Sequence, residues 1–204
     1  MRLPKLHEWI VRSSSSALLV NFNNPKKTAS ASFICAKLAH TVQSEVIDPH
    51  YPRNMFALLF LCAEHNRSDD PDFGVSGMIQ LLVAYPDFEM SIIKQIQLAD
   101  HEDIDSLCQI FHMMIAQLPS HVTLFCILDA ITVYEQGSLR SEGEYAVQEL
   151  MEIVHWTRDN YGCVFKILLT SAWNSHAFFK CLPDQQKDVI WTPAKVPPRG
   201  GFTK

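Results

Sequence analysis

Five short apolar runs constrain this chain more than any other feature. They cover residues 17–20, 55–62, 122–128 and 164–169, with a weaker one at 189–191. A continuous apolar run of strand length needs burial on both faces, which is the situation of a strand in a parallel sheet covered by helices. The stretches between them carry helical signals. From 103 to 118, apolar residues recur at three- and four-residue spacing, Asp103 can cap the start and Pro119 limits the end. Residues 28–40 follow the first run without a breaker, and shorter helices are expected at 77–84 and 90–97. A further helix is expected from Ser141, where Ser141 and Glu144 match a capping box, to the residues before Gly162. Strands alternating with helices predict a three-layer α/β sandwich. The stretch of about 60 residues between the second and third runs is longer than one crossover requires, so two or three helices are expected there.

The chain divides into an N-terminal helix and serine linker (1–15), one α/β domain (16–192) and a Pro/Gly-rich tail (193–204). The first segment reads as an amphipathic helix around Trp9, able to dock on the domain's own surface or on a partner. At 204 residues, the chain can bury a substantial core. A net charge of −5 without a Lys/Arg cluster disfavours nucleic acid, and no apolar run reaches membrane-spanning length. The six cysteines lie mostly inside apolar runs and form no Cys-x-x-Cys pair, which predicts reduced, structural thiols in a cytoplasmic protein.

The polar residues that close the runs carry the chemistry. After the first run the chain reads Asn21-Phe22-Asn23-Asn24-Pro25-Lys26-Lys27-Thr28 and then enters a helix. A phosphate-binding loop has this layout, strand, loop, Lys, Ser/Thr and helix, but with Gly where Asn21 and Lys26 stand. The third run closes on Asp129, about 100 residues after Lys27, where such an enzyme holds its Mg²⁺ carboxylate. The fourth closes on Thr170 and Ser171, where in such an enzyme a polar residue senses the terminal phosphate.

On the segments ALLVNFNNPKKT, FLCAEHN with DDPDFGVSGMIQLL, LFCILDAITVYE and KILLTSAWNS, the chain resembles the nucleotide-binding core of NACHT-type NTPases of the STAND class. It is most similar to a divergent group common in filamentous fungi. The resemblance covers most of the chain and implies a P-loop NTPase fold with strand order 5-1-4-3-2. It also implies ATP or GTP with Mg²⁺ as ligand, and a switch or scaffold role. On it, Asn21, Lys26, Lys27 and Thr28 would surround phosphate, Thr28 and Asp129 would hold Mg²⁺, and Thr170 would act as sensor.

The departures from that pattern bear on chemistry. Lys26 puts a side chain where bare backbone must approach phosphate, and Pro25 removes an N–H donor from the anion nest. The second acidic positions of the family fall on Thr132 and Val133, with Glu135 two residues on as a substitute, and the sensor arginine position is Ala172. The expectation is a degenerate site with no catalytic residue and no resident cofactor, in a non-catalytic module that binds a protein partner, with no nucleic acid and no membrane. The alternative is a weak ATP- or GTP-binding switch with little or no hydrolysis. Cys62, Glu64 and His65 lack a second ligand pair for a metal. Cys108 and His112 read as core packing, and the acidic stretches 69–72 and 100–105 as helix caps and solvated loops. No Gly-x-Ser-x-Gly elbow supports a hydrolase.

Overall fold

The computed structural model describes residues 4–22, 28–44, 54–64, 73–100, 103–135 and 139–192. Five strands form one parallel sheet: β1 (Ser16–Asn21), β2 (Met55–Leu61), β3 (Thr123–Asp129), β4 (Val164–Ser171) and β5 (Val189–Trp191). Their order is β2-β3-β4-β1-β5. This is the order 5-1-4-3-2 read from the other edge. Each strand except β5 is nearly continuous in burial, as the unbroken apolar runs require.

Side chains alternate across the sheet, so two cores form. Leu19, Phe56, Leu58, Leu124, Cys126, Phe165 and Ile167 face α3 (Phe73–Ala84), α4 (Met90–Leu98), α5 (Ile104–Gln117), α6 (Arg140–Asp159) and the short α7 (Ala177–Cys181). Leu18, Val20, Ala57, Phe125, Ile127 and Leu168 face only α1 (Pro4–Val11) and α2 (Thr28–Ser44). Among the described residues, the long segment between β2 and β3 therefore holds three α-helices, all on the more heavily covered face.

Asp103 caps α5 by accepting from the Asp105 N–H at 3.2 Å, and Leu118 turns to extended backbone before Pro119. The expected capping box at Ser141 does not form. Helix α6 starts one residue earlier, its N-cap is Leu139, and Glu144 instead accepts from Arg140 Nε at 2.7 Å, one turn back.

Helix α1 packs on the domain's own sheet. Trp9 is buried, its ring meets Phe125 edge-to-face at 5.8 Å, and its indole N–H donates to the Ser16 carbonyl at 3.2 Å. Ser15, at the end of the serine stretch, is buried too, accepting from Phe165 N–H at 3.0 Å and from the Thr157 hydroxyl at 2.8 Å. The outer strand β2 has its exposed edge occupied by amide side chains. Gln80 accepts from Leu59 N–H at 2.9 Å and donates to Leu59 C=O at 3.0 Å, as a neighbouring strand would. Gln43 donates to Ala57 C=O at 3.2 Å. Such blocking closes an edge to strand addition. Among the described residues, no helix is long and apolar enough to cross a membrane.

Candidate functional site at the carboxyl ends of the strands

In a parallel α/β sheet the ligand crevice lies beyond the carboxyl ends of the strands. The register brings the motif residues there. Asn21 pairs with Ser171, Val20 with Thr170, and Leu128 with Leu169, so Asp129 ends β3 beside Thr170. Thr28 opens α2. Lys26 and Lys27, with the rest of 23–27, lie outside the described residues, so the structure brings together Asn21, Asp129 and Thr170 of the expected set.

Asp129 is 2 % exposed and both of its oxygens are engaged by the protein. Oδ2 accepts from the Ser32 hydroxyl of α2. Oδ1 accepts from the Thr170 hydroxyl of β4 and, at 3.6 Å, from the Cys35 thiol of α2. Thr170 Oγ1 accepts in turn from the Ala130 N–H at 3.0 Å, fixing a turn in which Ala130 has φ 59°. One carboxylate thus ties β3 to α2 and β4. The Cys35 thiol is pushed well up from its ordinary pKa, first by burial and then by the Asp129 charge, so it remains a neutral donor and a poor nucleophile.

Glu135 is a second acid near the crevice. It ends a turn of 3₁₀ helix at Ile131–Glu135 and caps α7. Its Oε1 accepts from the Ser175 hydroxyl and from the N–H groups of Ala177 (2.9 Å) and Phe178 (3.3 Å), while Oε2 accepts from His176 N–H at 3.4 Å. This is the work of a carboxylate at a helix N-terminus. Thr132 is buried and meets Ser171 Oγ at 3.5 Å, and Ala172 is buried as well.

These arrangements test the Mg²⁺-nucleotide that the resemblance implies. A cation at Asp129 would share the carboxylate with Ser32, Thr170 and Cys35, which take three of its roughly four acceptor sites, and Glu135 is turned to α7. Among the described residues no group of three or more His, Cys, Asp and Glu converges. Asn21 is different. Its Oδ1 accepts from Ser175 N–H at 3.1 Å, but its buried Nδ2 has no hydrogen-bond partner among the described residues. An unsatisfied buried donor is costly. It sits at the end of β1, where the candidate loop begins.

Sequence reasoning missed Ser32 and Cys35, although they lie one turn and two turns beyond Thr28 on α2, the spacing of a single helix face. It also missed Lys166, the one charged residue within the β4 run. Lys166 is 1 % exposed, its ammonium donates to the Trp9 carbonyl at 2.7 Å, and it lies 5.5 Å from the Trp9 ring centre. Burial, and then the Arg12 charge, lower its pKa to about 8. All six cysteines are free thiols. Comparison with protein-family models and with curated proteins finds no match.

Proposed function

We propose that this domain is a non-catalytic interaction or scaffold module built on a degenerate NACHT-like P-loop NTPase fold. The observation that carries the reading is the engagement of both Asp129 oxygens by Ser32, Cys35 and Thr170. Phosphoryl transfer needs a metal ion, a positioned water and charge stabilisation together. Here the Mg²⁺ position of the motif is a structural tie, the substitute acid Glu135 is a helix cap, and the arginine position is Ala172. A protein partner fits α3, which is apolar nearly all round and leaves Ile79 and Val83 exposed. A cytoplasmic location goes with this reading, supported by six unpaired thiols.

The second reading, a weak ATP- or GTP-binding switch, is favoured by one observation, the unpartnered Nδ2 of Asn21 beside the candidate loop. Thermal shift with ATP or GTP and Mg²⁺ separates the two. A ligand at a hundred times its Kd adds about 2.7 kcal/mol of stability. The scaffold reading expects no change in melting temperature at millimolar nucleotide. A rise that Lys27→Ala abolishes would replace it with the switch reading.

A further inference from the structure

The less covered face of the sheet carries a groove of about 740 Å³ between α1 and α2. Its floor includes Met55 and Thr123, which begin β2 and β3, so it lies toward the amino ends of the strands. Its walls follow a helical pattern. On α2, Ile34, Leu38 and Val42 stand at i, i+4 and i+8 as an inner row, with Phe33, Lys37 and Thr41 as an outer row beside it. On α1, Leu6 and Ile10 make a matching i, i+4 row. Rows at this spacing are the ridges between which another helix packs. As packing surfaces they are unfinished. Leu6, Ile10, Ile34 and Leu38 are only half-buried, and Val11 and Phe33 at the rim are 63 % and 69 % exposed. The opposite face of the same strands is covered by α3 to α7.

Size and charge select the occupant. The α2 wall from Phe33 to Val42 is about 14 Å long at 1.5 Å per residue, and a helix about 10 Å across fills about 1,100 Å³ over that length. A groove of 740 Å³ takes about two-thirds of such a helix and leaves one face of it in solvent. At the rim, Lys37 and Arg12 are exposed cations, with Arg12 shared with Glu8 at 3.5 Å. Among the described residues, no Asp or Glu lines the groove. A helix whose apolar stripe is flanked by acidic residues is complementary to this lining in shape and in charge.

We propose that the α1–α2 groove docks an acidic amphipathic helix of a partner protein, its apolar stripe between the two inner rows and its carboxylates toward Lys37 and Arg12. This docking rests on the domain being an interaction module. Peptide binding and nucleotide-dependent melting are measured separately, so either can fail alone. The test is selection from a display library of random peptides of about 18 residues, five turns of helix, against the full chain. Fluorescence anisotropy then gives the affinity of the winners. The expected winners bind saturably and carry apolar residues at i, i+4 and i+7 or i+8, flanked by Asp and Glu. Phe33→Gln and Val11→Gln, at exposed positions, should each weaken them by at least about tenfold, the size of an interface hot spot, with the melting temperature unchanged. Lys37→Glu should weaken the acidic winners and strengthen the same peptides rebuilt with Lys in place of Glu. No saturable winner, winners that lack the helical stripe or are basic, or winners that bind all three variants as tightly as wild type, would overturn the proposal. So would a groove that sedimentation shows to be buried between two copies of the chain.

Discussion

The two ends of the sheet treat charge in opposite ways. At the carboxyl ends, two carboxylates are matched by the protein's own donors: Asp129 by Ser32, Cys35 and Thr170, and Glu135 by Ser175 and the start of α7. Toward the amino ends, Lys166 is buried with no carboxylate beside it among the described residues and leans on a backbone carbonyl and a ring face. The end that carries the recognisable motif is therefore the self-satisfied one. The end without a motif carries the unmatched charge. Polar residues at motif positions can have their hydrogen bonds spent within the fold, whereas a buried charge held by a carbonyl and a ring face carries a desolvation cost that its partners meet only in part.

The largest expected effect tests the matched end. Asp129→Ala removes the acceptor of the Ser32, Cys35 and Thr170 donors at a buried position and should cost about 3 kcal/mol in urea unfolding. A loss below about 0.5 kcal/mol, the size of a neutral surface change, would remove the contrast between the ends. Glu135→Ala should cost about 1–2 kcal/mol, the worth of a lost cap, with Glu135→Gln losing less because one acceptor remains. Equal losses for the two variants would mean that the carboxylate is not acting through its acceptor oxygens.

The unmatched end should respond in the other direction. Lys166→Met is expected to leave stability unchanged or raise it by about 1 kcal/mol, since an apolar residue of similar length replaces an uncompensated buried charge. The pH dependence has a defined sign. Unfolded, Lys166 holds its proton up to its ordinary value of 10.5, whereas in the fold it releases it from about 8. Between these values the unfolded state binds more protons, so this residue makes the fold more stable as pH rises through that window. The buried thiols act oppositely, because Cys126 and Cys163 are raised from 9.0 to about 12 by burial. The quantity to read is thus the difference between wild type and Lys166→Met at pH 8 and pH 10. Wild type should gain on the variant as pH rises, and a constant difference would show that the ammonium is not buried as described.

Much of the fold was legible because its signals are local. The apolar runs gave all five strands, and the polar residue closing each run placed Asp129 and Thr170 at one end of a parallel sheet. What was not legible depends on how elements rotate against each other. Ser32 and Cys35 become partners of Asp129 only because α2 turns that face to β3. Glu135 becomes a cap only because α7, five residues with no capping signature of its own, starts beside it. The capping box at Ser141 had the right residue types, but the helix began one residue earlier and Glu144 took Arg140 instead. Lys166 was hidden by its neighbours, since one lysine does not disturb the reading of an apolar strand, and its burial follows from the docking of α1.

The measurement closest to the central claim is a double-mutant cycle on Asp129→Ala and Thr170→Val, read by urea unfolding in buffer and again in millimolar Mg-ATP. If Asp129 is a structural tie, the two losses are coupled by at least about 1 kcal/mol and the nucleotide changes neither the coupling nor the wild-type stability. Additive losses, or a wild-type protein that Mg-ATP stabilises and the Asp129 variant that it does not, would return Asp129 to the role of a metal-site carboxylate and contradict the account.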